Sequence, residues 1–170
     1  MTALFSEGTV AFLARAPLEE KAWFAANRTA YLRDVLGPQK ALVQALAPHM
    51  EAIDPRLVGA CSRIYRDMRF SKGPVLRGNV WVCFHDSGMA PDERPEFFVE
   101  VFADHWRCGM GFYSATKAKM DAVRAAIDAN PDRFAEVVGG LPPAMQLLGE
   151  TYKQSRAGHL PEQLRPWYDK

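Results

Sequence analysis

The hydrophobic pattern of this chain changes its period after Asp54, and that change limits the folds that are open to it. Before this point apolar residues recur at helical spacing, as in Leu42, Val43 and Leu46. After it, the segments SRIYRDMRF, NVWVCFH, EFFVEVFA and WRCGMGFY are short, alternate with a period of two and are separated by turn-forming stretches. This pattern predicts an antiparallel meander of about four strands.

Helices are predicted on either side of this sheet. The second helix is expected from about Pro17 to Leu36, with a stop near Gly37 and Pro38, and Ser114 is expected to cap a later helix. We therefore predict an α+β fold in a single domain of residues 1–170. We expect a helical part over 1–56, the antiparallel sheet over 57–113, further helices over 114–140 and a surface tail over 141–170. The N-terminal and C-terminal helices are expected to pack against the sheet.

Charge and cysteine usage restrict the location and the partners of the chain. Lysine and arginine total 21 against 20 acidic residues, so no global field attracts nucleic acid or an anionic membrane. The three cysteines lack a C-x-x-C motif, which favours core thiols in a reducing compartment over a disulfide frame. The segment MTALFSEGTV does not resemble a signal peptide, and no apolar run is long enough to span a bilayer. We expect a soluble, cytoplasmic protein.

The segment SRIYRDMRFSK concentrates basic side chains in a predicted strand. Alternation places Arg66 in the middle of an otherwise apolar face. An arginine there needs a carboxylate or a bound anion, because desolvation of its charge costs several kcal/mol. The opposite face carries Arg63, Tyr65, Asp67 and Arg69, which fit either a solvated ladder of charges or the floor of an anion site.

A second set of polar residues interrupts the apolar stripe of the second predicted helix. Helical spacing places Asn27, Arg28 and Tyr31 on the arc that faces the sheet. Asn27 and Arg28 could bond backbone carbonyls of a loop or pair with Asp67. Two such segments in one domain favour a shared polar cavity in which Arg28 and Arg66 are largely buried.

Two motifs resemble those of the domain of unknown function family 2461. They are FLARAPLEEKAWFAANRTAYL and SRIYRDMRFSKGP, and the resemblance continues through GFYSATKAKMDAVRAAIDANPDRF. It implies no activity, but it covers the residues Trp23, Phe24, Asn27, Arg28, Tyr31, Arg63, Tyr65, Arg66, Asp67, Arg69, Phe70, Ser71 and Lys72. Where family members continue S-K-D-K-T-P-Y-K, this chain has SKGPVLRG, so an acid–lysine pair and a tyrosine are missing.

Other chemistry has weaker signals. His85–Asp86 and Asp104–His105 contain metal-ligand residue types, but they lack the spacing of known metal motifs, so no metal site is predicted. The segment CGMGFY lacks the third glycine of a dinucleotide fingerprint, and no cofactor is indicated. The sequence does not indicate an oligomeric state either.

Three classes of function remain, in decreasing order of weight. The first is a domain that binds a small molecule bearing a phosphate or a carboxylate. This class includes an enzyme, in which Asp67 or Tyr65 would be the proton-transfer group. The second is a protein-interaction or structural module whose arginines pair with internal acids such as Glu100 or Asp104. The third, nucleic-acid binding, is disfavoured by the charge balance. The predicted ligand-binding residues are Asn27, Arg28, Tyr31, Arg63, Tyr65, Arg66, Asp67, Arg69 and Lys72.

Overall fold

The computed structural model describes residues 4–69, 72–90, 94–114 and 116–170. Its contacts divide the chain into two compact units, Met1–Tyr113 and Ser114–Lys170. The first unit contains helices and the sheet, and the second unit is helical. The single-domain boundary of the sequence analysis stays a prediction.

Helices fill the first part of the first unit. They are α1 (Glu7–Arg15), α2 (Lys21–Ala26), α3 (Arg28–Tyr31) and α4 (Gly37–Ile53), with a 3-10 turn over Ala16–Leu18 and a π-helical turn over Leu32–Leu36. The predicted stop at Gly37 and Pro38 is wrong, because the π-helical turn leads directly into α4. Pro38 is tolerated there since the first turn of a helix needs no partner for a backbone N–H.

The sheet confirms the predicted antiparallel α+β fold. Within the described residues, four strands pair in the order β1 (Leu57–Cys61), β2 (Asn79–Asp86), β3 (Pro95–Phe102) and β4 (Trp106–Phe112). Every neighbouring pair is antiparallel, and Val82 lies opposite Val99, which lies opposite Cys108. Consecutive strands are therefore neighbours, as in a meander.

The first strand precedes the segment that the alternation pattern selected. β1 ends at Cys61, and the predicted strand SRIYRDMRF leaves the sheet except for an isolated bridge between Tyr65 and Leu76. Ser62 explains where the ladder ends. Its backbone N–H donates to the Trp81 carbonyl at 2.8 Å, but the Trp81 N–H donates to the Ser62 side-chain oxygen at 2.8 Å. A side chain thus takes the place of the backbone carbonyl that would continue the pairing.

One hydrophobic cluster joins α1, α2 and α3 to strands β2 and β3. It also includes Ile64 and Leu76, which bring the irregular segment after β1 into the core. The buried members are Phe12, Leu13, Ala16, Phe24, Tyr31, Val35, Ile64, Leu76, Val80 and Val101. The burial of Ile64 and Leu76 therefore anchors the segment that carries the predicted arginines to the core.

The second unit has its own apolar core. Its helices are α5 (Lys117–Ala129), α6 (Pro131–Gly139) and α7 (Arg165–Tyr168), with a 3-10 turn over Glu162–Leu164. The cap of α5 is Thr116, whose hydroxyl accepts from the Lys119 N–H, rather than Ser114. Ala157, Leu160 and Leu164 are buried against Ile127, so the predicted surface tail supplies core residues. Among the described helices of either unit, none is long and apolar enough to cross a bilayer.

Candidate functional site

A cavity of about 330 Å³ lies in the first unit, between α2 and α3 and the chain that leaves β1. We name it the arginine cavity. Its lining residues are Phe24, Arg28, Tyr31, Leu32, Leu36, Cys61, Ser62, Arg63, Ile64 and Tyr65. The structure thus brings together Arg28, Tyr31, Arg63 and Tyr65 from the two sequence motifs, and most of the wall between them is apolar.

Aromatic contacts connect the two sides of the arginine cavity. The ring of Phe24 lies 5.1 Å from that of Tyr31 and 5.1 Å from that of Tyr65, in edge-to-face orientation in both cases. Tyr31 also packs at 5.8 Å from Phe12 of α1. Edge-to-face pairs at these distances are attractive beyond the area they bury. Phe24 therefore fixes the segment of Tyr65 against the helices.

Backbone hydrogen bonds hold the rim of the cavity on its other side. The Arg66 N–H donates to the Val75 carbonyl at 2.9 Å, and the Arg77 N–H donates to the Ile64 carbonyl at 2.8 Å. These bonds flank the bridge between Tyr65 and Leu76. The rim thus consists of two short chain segments, residues 64–66 and 75–77, that are paired by these bonds. The backbone next to Arg63 is therefore held in place rather than part of a free loop.

The charge of the arginine cavity comes from Arg28 and Arg63. Both residues are exposed, and among the described residues neither guanidinium has a hydrogen bond or an ion pair. The predicted burial of Arg28 is wrong. Phe24 and Tyr31, on the same predicted arc, are buried, and the Tyr31 N–H donates to the Asn27 carbonyl at 3.0 Å across the break between α2 and α3. Arg28 alone keeps its charge in solvent, because burial without a carboxylate partner would cost several kcal/mol of desolvation. Two guanidinium groups therefore meet solvent at the same cavity.

Asn27 and Arg66 do not line the arginine cavity. Asn27 is half-buried, and its side-chain amide donates to the Trp23 carbonyl at 2.9 Å, which satisfies the end of α2. Arg66 is half-buried too, and its Nε is buried without a hydrogen-bond partner among the described residues. The Nε of Arg77 has the same status, while its guanidinium lies 5.0 Å above the Trp81 ring.

Asp67, Arg69 and Lys72 are exposed and lie outside the cavity. Arg69 donates to Asp67 at 2.6 Å, and this hydrogen bond lowers the pKa of the Asp67 carboxyl to about 2. So low a pKa makes Asp67 a weak base at neutral pH, which argues against the predicted proton-transfer role. Phe70 and Ser71, which belong to the second motif, lie outside the described residues.

The internal acids that could have neutralised the arginines have other partners. Glu100 is buried and accepts from Arg107 at 2.6 Å and from the Asn79 side chain. Asp104 is exposed and bonds His105 at 2.7 Å. Neither acid reaches the arginine cavity, so the cavity keeps its positive charge.

Two titratable groups in the cavity wall stay neutral at physiological pH. Burial raises the pKa of Tyr31, and the proximity of the Cys61 thiol adds to the rise. Burial likewise raises the pKa of the Cys61 thiol, against a smaller opposing effect of Lys40. A protonated phenol can donate a hydrogen bond to an anion, and a protonated thiol adds no negative charge that would repel one.

The family model described as conserved hypothetical protein (DUF2461) matches residues 9–163. The match covers most of the chain, so the protein belongs to this family, as the two motifs indicated. Neither a curated protein nor a solved structure matches the chain. Function therefore has to be argued from the geometry of the site.

Sequence reasoning missed part of the wall. Leu32 and Leu36 lie four and eight residues beyond Arg28, a helical spacing that could have placed them beside it. Cys61 and Ser62 were assigned to core and strand roles, because the bend after β1 has no signature in the alternation pattern. Side chains of types that can bind a metal ion converge elsewhere, at Cys83, His85 and Glu96.

Proposed function

We propose that this domain binds a small anionic molecule, bearing a carboxylate or a phosphate, in the arginine cavity. Arg28 and Arg63 are its donors. The observation that carries the proposal is that two guanidinium groups without protein partners, among the described residues, lie on one cavity of about 330 Å³. A guanidinium forms bidentate, charge-assisted bonds to carboxylate and phosphate oxygens, which makes arginine suited to both anions.

The wall composition narrows the ligand class. Phe24, Leu32, Leu36 and Ile64 offer apolar surface next to the charged groups. Sites for small molecules combine a mostly apolar lining with a few polar groups that fix orientation, and their volumes begin at about 300 Å³. The ligand is therefore an amphiphilic anion with a compact apolar or aromatic body, rather than inorganic phosphate alone.

The proposed donors differ in part from the predicted ones. Arg69 is engaged by Asp67, and Arg66 and Lys72 lie away from the cavity. Arg28 and Arg63 take the leading role, with Tyr31 and Tyr65 as neighbours. A cytoplasmic location belongs to the same proposal and is supported by the three free cysteines.

The interaction-module alternative requires arginines that are paired internally. Several arginines are paired in this way, including Arg107 with Glu100 and Arg69 with Asp67. Arg28 and Arg63 are not, among the residues the structure describes. This difference favours ligand binding at the cavity over a closed, purely structural site.

Thermal unfolding of the whole chain with phenyl phosphate, benzoate or inorganic phosphate tests the proposal. A ligand that binds only the folded state raises the melting temperature. We expect a saturable rise with phenyl phosphate that exceeds an ionic-strength control, and its loss in Arg28→Gln and Arg63→Gln. Arg15→Gln is the matched control, because Arg15 is an exposed arginine of α1 that pairs with Glu19 outside the cavity. An equal rise in all variants would contradict the proposal.

A further inference from the structure

Three metal-ligating side chains converge on one face of the sheet, away from the arginine cavity. Cys83 and His85 are two residues apart on β2, so both point to the same face. Phe84 pairs with Phe97, which places Glu96 of β3 opposite His85. The ligand atoms Sγ, Nδ1 and carboxylate oxygen all lie within 4.8 Å of one another.

The three side chains are in mutual contact. The Cys83 Sγ lies 3.6 Å from the His85 Nδ1, an ordinary distance for a hydrogen bond that involves sulfur. The same Nδ1 lies 3.7 Å from the Glu96 Oε1, beyond hydrogen-bond distance. Both Cys83 and His85 are buried, at 7% and 8% exposure. The Cys83 thiol also hydrogen-bonds Glu96, so the three side chains already contact one another, and a metal ion bound here would replace these hydrogen bonds.

Two of the three spacings are close to the edges of a metal coordination tetrahedron, and the third, from Sγ to the carboxylate oxygen, is within 4.8 Å. Zinc binds cysteine sulfur at about 2.3 Å, histidine nitrogen at about 2.0 Å and carboxylate oxygen at about 2.0 Å. Tetrahedral angles then separate sulfur from nitrogen by about 3.5 Å, and nitrogen from oxygen by about 3.3 Å. The observed distances of 3.6 Å and 3.7 Å need only small shifts to reach these values.

We propose that Cys83, His85 and Glu96 form a binding site for a divalent transition-metal ion. Zinc fits this mixed sulfur, nitrogen and oxygen set best. The thiolate and the carboxylate together balance the charge of the ion. Arg94 lies 3.3 Å from the Glu96 Oε1 and orients that carboxylate, as groups behind the ligands commonly do in metal sites. Three protein ligands leave the fourth position to a water molecule or another exchangeable ligand.

A role of Cys83 as a free nucleophile fits the structure less well. Burial, and after it the charge of Glu96, raises the pKa of the Cys83 thiol to about 12. The free thiol is therefore a poor nucleophile, and a metal ion that binds it must displace its proton. The neighbouring residue Asp86, which the sequence paired with His85, instead forms an ion pair with Arg56 at 3.1 Å. Glu96 was missed because it comes from the next strand.

Titration of the purified chain with cobalt(II) tests the site. Thiolate-bound cobalt absorbs light through a charge-transfer band, so the band reports a cysteine ligand directly. We expect the band to saturate at one equivalent, to disappear on zinc addition and to be absent in Cys83→Ser. Cys61→Ser and Cys108→Ser remove the two other free thiols of the chain and serve as matched controls that keep the band.

Glu96→Gln keeps the test informative if Cys83→Ser folds poorly. Glutamine has nearly the same size and shape as glutamate, so the replacement disturbs packing little. We expect this variant to weaken cobalt binding by about tenfold or more while circular dichroism stays unchanged. The proposal is overturned by a chain that shows no charge-transfer band, by a band that survives in folded Cys83→Ser, or by unchanged affinity in Glu96→Gln.

Discussion

The ring of Tyr65 packs edge-on against the ring of Phe24, with their centroids 5.1 Å apart. This contact joins the segment after β1 to α2, and both rings line the arginine cavity. Phe24 is buried and also packs on Tyr31, so one side chain supports both sides of the site.

Phe24→Ala is expected to lower the free energy of unfolding by about 3 kcal/mol, because it removes a buried ring and leaves a cavity. Urea unfolding followed by circular dichroism measures the change. Leu18→Ala is the control, since Leu18 is 76% exposed and its loss should change stability by about 0.5 kcal/mol or less. Similar losses in the two variants would show that Phe24 does not support the site.

Gly59 tests the packing of α4 on β1. A Cβ at this position would lie 2.5 Å from Val43 Cγ1 and 2.9 Å from Phe84 Cε1. Gly59→Ala should therefore destabilise the protein by about 1–3 kcal/mol through overpacking. Gly111→Ala, where a Cβ meets nothing within 4 Å, should have little effect in the same urea experiment. A neutral Gly59→Ala would contradict the close approach of α4.

The ion pair of Asp67 and Arg69 predicts a measurable titration. Its hydrogen bonds lower the pKa of Asp67 from 3.8 to about 2. A lowered folded-state pKa gives stability that is complete above about pH 4 and is lost as the pH falls towards 2. Carbon-detected NMR should show an Asp67 midpoint near 2 that returns towards 3.8 in Arg69→Gln.

Asp54 provides an internal control in that titration. Its pKa is also lowered to about 2, by hydrogen bonds from Arg56. Arg69→Gln should leave the Asp54 midpoint where it is. A wild-type Asp67 midpoint near 3.8 would show that the pair is not formed in solution.

Local pattern was sufficient for the antiparallel class of the sheet and for three of its strands, and insufficient for the first strand and for the site. The sheet was predicted over 57–113, but the alternating segment chosen as its first strand, SRIYRDMRF, follows β1 (Leu57–Cys61) instead of forming it. The end of β1 depends on a hydrogen bond from Trp81 to the Ser62 side chain, which joins residues distant in sequence. Arg28 is exposed although Phe24 and Tyr31 on the same predicted arc are buried, and periodicity alone does not show which member of an arc reaches solvent.

Burial in the second unit was missed for a related reason. Leu160 and Leu164 belong to a segment with weak periodicity, so nothing local marks them as core residues. Their partner Ile127 lies in α5, and only tertiary contact shows the relation. Cys83 and His85 similarly form a candidate metal site only together with Glu96, which the register of β2 and β3 places opposite His85.

The central claim is that Arg28 and Arg63 bind an anion in the arginine cavity, and NMR mapping with phenyl phosphate tests it most directly. We predict saturable chemical-shift changes confined to residues 24–36 and 61–65, including both arginine side chains, and their loss in Arg63→Gln but not in Arg15→Gln. Changes that never saturate, or that spread over exposed basic residues of both units in proportion to ionic strength, would contradict the account.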